Sequence, residues 1–214
     1  MAVVVVGLTQ ASSVIPVVSC SEAAFGTVTT AFVPLNDSAS PYLPVVTHVA
    51  PVIVPLLPLP DASVDVVVNF QVIEHLWDQA QFVAECARVL RRSGLLMVST
   101  PNRITFSPGR DTPINPFHTR ELNAHELTEL LVDGGFGQVS ISGLFHGPRL
   151  REMDARHGGS IIDAQIARAV ADAPWSAELA ADVAAVTADD FDIVDRGHRD
   201  IDDSLDLIAI AVRQ

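Results

Sequence analysis

The stretch LPLPDASVDVVVNFQVIEHLWDQAQFVAECARVLRRSGLLMVSTPN, residues 57–102, decides the fold because it holds two buried strands joined by an amphipathic helix. The β-branched run within 64–70 is typical of a central parallel strand, which is covered on both faces and does not alternate apolar with polar residues. Residues 95–99 have the same character. The stretch therefore predicts a βαβ unit with a right-handed crossover.

The helix between these strands carries its own start and stop signals. Asp78 predicts the N-cap, with Gln81 three residues later, and Ser93-Gly94 predicts the end. Arginines crowd the predicted last turn, where positive charge opposes the helix dipole, and apolar residues recur at helical spacing on one face. That face consists of Phe82, Val83, Cys86, Val89 and Leu90, and the arginines are Arg88, Arg91 and Arg92.

The composition suits a single α/β domain with a sizeable core. The chain has 214 residues, of which 49% are apolar and 18% charged, and a net charge of −13. That charge argues against a nucleic-acid or anionic-membrane surface and favours an uncharged or cationic small molecule. Cys20 and Cys86 could form a disulfide, but the apolar surroundings of Cys86 favour a buried free thiol and hence a cytoplasmic location.

Residues 1–56 form an atypical apolar, proline-rich segment. Glu22 and Asp37 are its only acidic residues, it has no Lys or Arg, and recurrent prolines leave short strands as the most that it predicts. The segment is open to interpretation as an export signal, a diverged cofactor-binding half or a product of a shifted frame or start. A transmembrane helix is disfavoured because polar residues and a proline interrupt residues 10–16.

The remainder, residues 57–214, predicts the main domain. Residues 103–117 read as a loop, Asn123 caps a helix that ends at Gly134-Gly135, and a strand follows over 136–145. A helical insertion is predicted at about 146–199, with helices over 160–171 and 177–186, and the last strand spans 205–212. Trp175 lies in this insertion either as part of a lid over an acceptor or packed into a helical cap.

Four segments carry a resemblance to a known family. Residues 57–102 resemble the second half of a class I S-adenosylmethionine-dependent methyltransferase of the small-molecule type, and the resemblance continues through NPFHTRELNAHELTELLVDGGF, residues 115–136. HGPRLREMDARHGGSIIDAQI, residues 146–166, and DIDDSLDLIAIAV, residues 200–212, are similar to mycobacterial methyltransferases of methylglucose lipopolysaccharide and other polymethylated polysaccharides. The resemblance implies a Rossmann-like α/β sheet with helices on both faces and an antiparallel last strand.

The same resemblance implies S-adenosylmethionine as methyl donor and a sugar hydroxyl of a polysaccharide or its precursor as acceptor. The family's glycine-rich turn lets the backbone pass close to the cofactor, yet Gly7 and Gly26 are the only glycines before residue 58. Asp37 is the sole candidate for the acidic residue that binds the ribose hydroxyls. Residues 52–54 are apolar, although members of the family usually have a polar residue here that binds the adenine amino group. Two alternatives therefore stay open, a catalytically inactive remnant and an O-methyltransferase of a quinone or phenol.

The corner after the first strand holds the predicted cofactor and catalytic residues. Ligands of doubly wound sheets bind beyond the carboxyl ends of the strands, so Asn69, Phe70 and Gln71 are expected to contact the cofactor. A histidine of near-neutral pKa can remove the proton of an attacking hydroxyl, and His75 is the first candidate, with His118 the second.

Glu74, His75 and His118 are also candidate ligands for Mg²⁺. Some related O-methyltransferases hold a divalent cation with Glu-x-x-Glu-His and a later histidine, and Gln71 stands here at the first of these positions. Hard cations prefer oxygen ligands, which weakens the prediction. In the alternative interpretation, Glu74 orients the following turn and His75 is a structural histidine.

Three residues are predicted to contact the substrate. Asn102 follows the second strand, and His146 and Arg149 open the insertion. The predicted partner is a small-molecule or oligosaccharide acceptor, with no nucleic acid and no membrane insertion. A homodimer is compatible with the sequence.

Overall fold

The computed structural model describes residues 3–9, 28–34, 57, 59–115 and 117–214, with side chains from residue 57 onward except at 166, 169 and 170. The chain divides into two compact units, one made of Met1–Gly143 and Asp195–Gln214, the other of Leu144–Val194. Within the described ranges, no helix is long and apolar enough to cross a membrane. The predictions for Cys20, Asp37 and residues 52–54 lie outside them.

Seven strands form one sheet in the order β2-β1-β3-β4-β7-β5-β6. Strands β1 to β4 pair in parallel, whereas β7 runs antiparallel to β4. The predicted Rossmann-like α/β class, with its antiparallel last strand, is confirmed. The strands are β1 Val3–Thr9, β2 Val28–Pro34, β3 Val64–Phe70, β4 Leu90–Pro101, β5 Phe136–His146, β6 Phe191–Asp195 and β7 Asp206–Arg213.

Among its described residues, the first unit carries three α-helices, α1 Gln79–Val89, α2 Arg103–Phe106 and α3 Ala124–Asp133. Asp78 caps α1 as predicted, since its side chain accepts a hydrogen bond from the Gln81 N–H at 2.8 Å. The predicted apolar face is buried, and each large side chain on it contributes about 1.5–3 kcal/mol to stability. The thiol of Cys86 is free and buried.

The predicted end of α1 was wrong. The helix stops at Val89, and β4 begins at Leu90, which is buried and pairs with Val64. The β3–β4 register shifts between Val64 and Val66, and Ser93 lies at φ 62° within the irregularity. A Cβ on Gly94 would lie 3.0 Å from the Asp65 carbonyl oxygen, so glycine is needed where the strands approach. Strand pairing thus overrides the helical pattern of residues 90–92.

Two further elements differ from the sequence predictions. The predicted loop 103–117 begins with α2, because the Asn102 side chain accepts from the Ile104 N–H at 3.2 Å and caps it. A helix at Pro148–Arg156 was not predicted, although Gly147 followed by Pro148 at the first helical position is a recognised start signal. The predicted capping box of Asn123 and Glu126 on α3 is confirmed.

The second unit is helical and has its own small core. Its helices are α4 Pro148–Arg156, α5 Ile161–Val170 and α6 Ala177–Ala185. The bounds of α5 and α6 are close to the predicted ranges 160–171 and 177–186. The buried side chains at its centre are Leu150, Met153, Ile161 and Leu179. The boundaries predicted for the N-terminal segment and for the insertion remain predictions.

Candidate functional site

A tight corner at the carboxyl end of β3 positions two of the predicted catalytic residues. The chain turns at Gln71, which has φ 54°, and continues into a one-turn 3-10 helix, Ile73–His75. Buried apolar side chains on both sides of Glu74 anchor this turn in the core. Those side chains are Val72, Ile73 and Leu76.

Glu74 is a buried carboxyl group in a site that disfavours its charge. Its side chain is 1% exposed, and Oε2 accepts a hydrogen bond from Thr100 Oγ1 at 3.2 Å. Burial raises the pKa of Glu74 to about 7; the hydrogen bond to Thr100 lowers it, and negative charge on Asp206 and Glu121 raises it further. The side chain therefore titrates near neutral pH.

His75 is held by its Nδ1 atom, and its Nε2 makes no hydrogen bond to any residue that the structure describes. Nδ1 lies 3.0 Å from the carbonyl oxygen of Phe117, which can only accept, so Nδ1 carries the proton in the neutral ring. Nε2 lies 3.8 Å from Glu74 Oε1, too far for a hydrogen bond. Burial lowers the pKa of His75, which favours the neutral imidazole and its Nε2 lone pair.

His118 lies beside His75 and is clamped at both ring nitrogens. Its Nδ1 is 2.6 Å from Glu121 Oε1, and its Nε2 is 2.9 Å from Asn115 Nδ2. The ring centroids of the two histidines are 4.8 Å apart at an interplanar angle of 86°. The ring of Phe106 also lies next to the ring of His118, with 5.4 Å between the two ring centroids.

The fold brings all three candidate metal ligands together. One ligand atom from each of Glu74, His75 and His118 lies within 4.8 Å of the others. Two imidazoles and one carboxylate suit the borderline transition metals better than Mg²⁺, which prefers oxygen ligands in octahedral geometry. The cluster can therefore hold a cation, and with its neutral His75 it can also accept a proton.

The three predicted cofactor residues lie at the end of β3 and in the corner. Asn69 is fully buried, and neither its Nδ2 nor its Oδ1 has a partner within the part of the chain that the structure describes. Phe70 is half exposed, and Gln71 Nε2 donates to Asp206 Oδ2 at 3.2 Å. The unpartnered Asn69 amide suits a polar group of a bound ligand, since buried amides are rarely left unpaired.

The three predicted substrate residues are engaged in contacts within the protein. Asn102 is fully buried, and its amide donates to the carbonyl oxygens of residues 201, 202 and 204, each at 3.1 Å. In the second unit, His146 Nδ1 lies 2.6 Å from Asp154, and Arg149 donates to both carboxylate oxygens of Asp190. Contact of these three residues with a substrate stays a prediction.

Sequence reasoning missed four polar residues of the site. Thr100, Asn115, Glu121 and Asp206 come together with the catalytic candidates only through pairing of β4 with β3 and β7 and through the loop before α3. Glu121 carried one available signal, because it lies three residues after His118 in a short polar run. The other three had no local signal.

Comparisons with known proteins agree on one family. A family model described as a methyltransferase domain matches residues 35–98. A Mycobacterium tuberculosis protein named as a probable S-adenosylmethionine-dependent methyltransferase is 85% identical over 158 residues, 73% of this chain and 58% of its own length. A Mycolicibacterium smegmatis protein named in the same way is 75% identical over 157 residues, 73% of this chain and 61% of its own length.

The chain thus spans about three fifths of the length of these curated relatives. Among solved structures, that of a methyltransferase from Thermotoga maritima aligns with a TM-score of 0.48 and 13% identity, over 74% of this chain and 60% of that one. That likeness is too slight to bear on the function.

Proposed function

We propose that the chain is an S-adenosylmethionine-dependent methyltransferase, like the relatives with which it shares most of its residues, and that it methylates a hydroxyl oxygen of its acceptor. The geometry at His75 carries the proposal. Its Nδ1 is tied to the Phe117 carbonyl, so a lone pair remains on Nε2 at the edge of the cluster. A hydroxyl placed against Nε2 can lose its proton there.

The chemistry of such a transfer is balanced without any further reactant. The acceptor oxygen forms a bond to the methyl carbon, the bond from that carbon to sulfur breaks, and the hydroxyl proton passes to His75 Nε2. S-adenosylmethionine supplies the electrophilic methyl group, and S-adenosylhomocysteine leaves. General-base assistance of this kind contributes about 10²–10⁴-fold to a rate.

Asn69 is the residue best suited to hold a polar group of the methyl donor, with Phe70 and Gln71 beside it. The unpartnered amide of Asn69 supports this assignment. The lack of a glycine cluster before residue 58 favours a second candidate function, a methyltransferase-like domain that binds no cofactor.

For the acceptor we propose a sugar hydroxyl of a polysaccharide or its precursor, methylated in the cytoplasm. The resemblance of residues 146–166 and 200–212 to the enzymes of polymethylated polysaccharides supports this acceptor, and the buried free thiol of Cys86 is compatible with the location. The partly exposed ring of Phe106 lies next to that of His118 and can pack against the apolar face of a sugar. In the alternative use of the cluster, Glu74, His75 and His118 would hold a divalent cation, Mg²⁺ or a transition metal, which would polarise the same hydroxyl while His75 served as a ligand and not as the base.

Calorimetric titration of the protein with S-adenosylhomocysteine tests the proposal first. We expect binding, followed by transfer of a labelled methyl group to a member of a panel of glucosides and mannosides. The His75→Gln variant should bind the cofactor as before and lose about 10²–10⁴-fold in rate. His125→Gln is the control, since His125 is exposed and pairs with Glu129 on the surface of α3, away from the cluster.

The outcomes separate the candidate functions. If the folded protein does not bind S-adenosylhomocysteine, the second candidate function, a methyltransferase-like domain that binds no cofactor, is correct. If it binds and methylates, but His75→Gln is as active as His125→Gln, the assignment of the base is wrong.

A further inference from the structure

Glu121 is a buried acid that no step of the proposed transfer uses. Its side chain is inaccessible to solvent, and its Oε1 lies 2.6 Å from Nδ1 of His118. Buried carboxylates are costly unless they are hydrogen-bonded, and Oε2 has no partner among the described residues. Among the described residues, His118 is therefore the only hydrogen-bond partner of the Glu121 side chain, which points to a role through that ring.

The hydrogen-bond chain around His118 fixes which ring nitrogen carries the proton. The backbone N–H of Phe117 donates to Asn115 Oδ1 at 3.0 Å, so the amide group of Asn115 can have only one orientation. Its Nδ2 group, a donor, then faces His118 Nε2 at 2.9 Å. Nε2 must accept, and in the neutral ring the proton must lie on Nδ1, where the Glu121 carboxylate accepts it.

We propose that Glu121 is a positioning residue, which together with Asn115 locks His118 as the Nδ1–H tautomer and so keeps its Nε2 a hydrogen-bond acceptor beside the cluster with Glu74 and His75. His75 has the same tautomer through the Phe117 carbonyl. Both imidazoles thus have an unprotonated Nε2 near one carboxyl group, and a ligand or cation that used the Nε2 of His118 would have to displace the hydrogen bond from Asn115. The inference rests on the proposed function only for the use of that lone pair.

The arrangement resembles in kind the carboxylate–histidine pairs that orient the ligands of metal sites, where the outer carboxylate sets the tautomer and the direction of the ring. The pair at His118 is buried, in contrast to the His125–Glu129 pair on α3, whose side chains are 79% and 62% exposed and 3.4 Å apart. The chain therefore contains its own matched control, a histidine and a glutamate without a positioning role.

The tautomer can be measured without any methyl transfer. Protein labelled with ¹⁵N-histidine gives separate nitrogen signals for protonated and unprotonated ring positions, and His118→Gln assigns those of His118. We expect a protonated Nδ1 and an unprotonated Nε2 in the metal-free protein at pH 7.5. Glu121→Gln should populate the other tautomer, whereas Glu129→Gln should leave the His118 signals unchanged.

A second variant covers the case in which Glu121→Gln does not fold. Asn115→Asp replaces the amide donor by an acceptor in the loop before α3, and we expect a proton to appear on Nε2 of His118. Mn²⁺ titration followed by electron paramagnetic resonance adds a functional readout, in which Glu121→Gln weakens binding about 10–100-fold and Glu121→Asp restores part of it.

Several results would overturn the proposal. One is an Nε2–H ring in the wild-type protein. Others are an unchanged His118 tautomer in Glu121→Gln or, if that variant is unfolded, in Asn115→Asp. The protein could also show the expected His118 tautomer, and lose it in Glu121→Gln, while binding neither Mn²⁺ nor S-adenosylhomocysteine. That result would support the positioning role of Glu121 and reject the proposed function.

Discussion

Replacing Glu74 by Gln should stabilise the protein at pH 8 and change little at pH 5. The carboxyl has an ordinary pKa of 4.5 in the unfolded chain and a pKa of about 7 in the fold, mainly because it is buried. Between these two values the folded state binds more protons than the unfolded state, so the free energy of unfolding falls as the pH rises through this window.

The size of the effect follows from the two pKa values. Between pH 5 and pH 8 the wild-type protein should lose about 2–3 kcal/mol of stability through this one group. Glutamine has the shape of the protonated acid and its amide oxygen can accept from Thr100, so the variant should lack this loss. The burial of Asp206, whose pKa is also raised by desolvation, acts in the same direction in both proteins.

Urea denaturation at both pH values, in the presence of a chelator, provides the measurement. The chelator matters because a cation bound to the cluster would keep the carboxylate charged. Glu129→Gln is the control, as its carboxylate is exposed, and its effect should stay below about 0.5 kcal/mol at both pH values. If the stability difference between Glu74→Gln and wild type is the same at pH 5 and pH 8, the buried carboxyl does not titrate as argued.

Two further predictions concern buried polar groups of the first unit. Asn102→Ala should lower the free energy of unfolding by about 2–4 kcal/mol, because it removes a helix cap and leaves three carbonyl groups without their donor. Asn123→Ala, which removes only a cap, should lower it by about 1 kcal/mol. Equal losses for the two variants in urea titrations would refute this prediction. The thiol of Cys86, whose pKa burial raises, should react with an alkylating reagent only as fast as the protein unfolds, and peptide mapping that finds rapid labelling of the native state would contradict its burial.

The sequence was most informative where local pattern and tertiary environment agree. The span of β3, the Asp78 cap and the capping box of Asn123 and Glu126 were predicted because each depends on residues within a few positions of one another. The end of α1 was missed because Leu90 pairs with Val64, a contact that no helical periodicity reveals. Helix α4 was missed because only Leu150 and Met153 of it are buried.

The same distinction applies to the candidate site. Glu74 and His75 are adjacent in the chain, and His118 was found through its resemblance to a family motif. The charge on Glu74 depends chiefly on its burial and also on Asp206, which comes near it because β7 pairs with β4. The tautomer of His118 depends on the backbone of Phe117. A sequence alone carries no measure of such distances.

The place of β7 in the sheet also has a consequence for biosynthesis. β4 and β5 leave the ribosome well before β7, yet β7 lies between them. During translation, the edge of β4 that finally pairs with β7 is therefore exposed while residues 102–205 are being made, and an unpaired strand edge is a template for association with other chains. We expect nascent chains of this protein to depend on chaperones or on rapid completion of synthesis, because the sheet closes only when Asp206–Arg213 arrives.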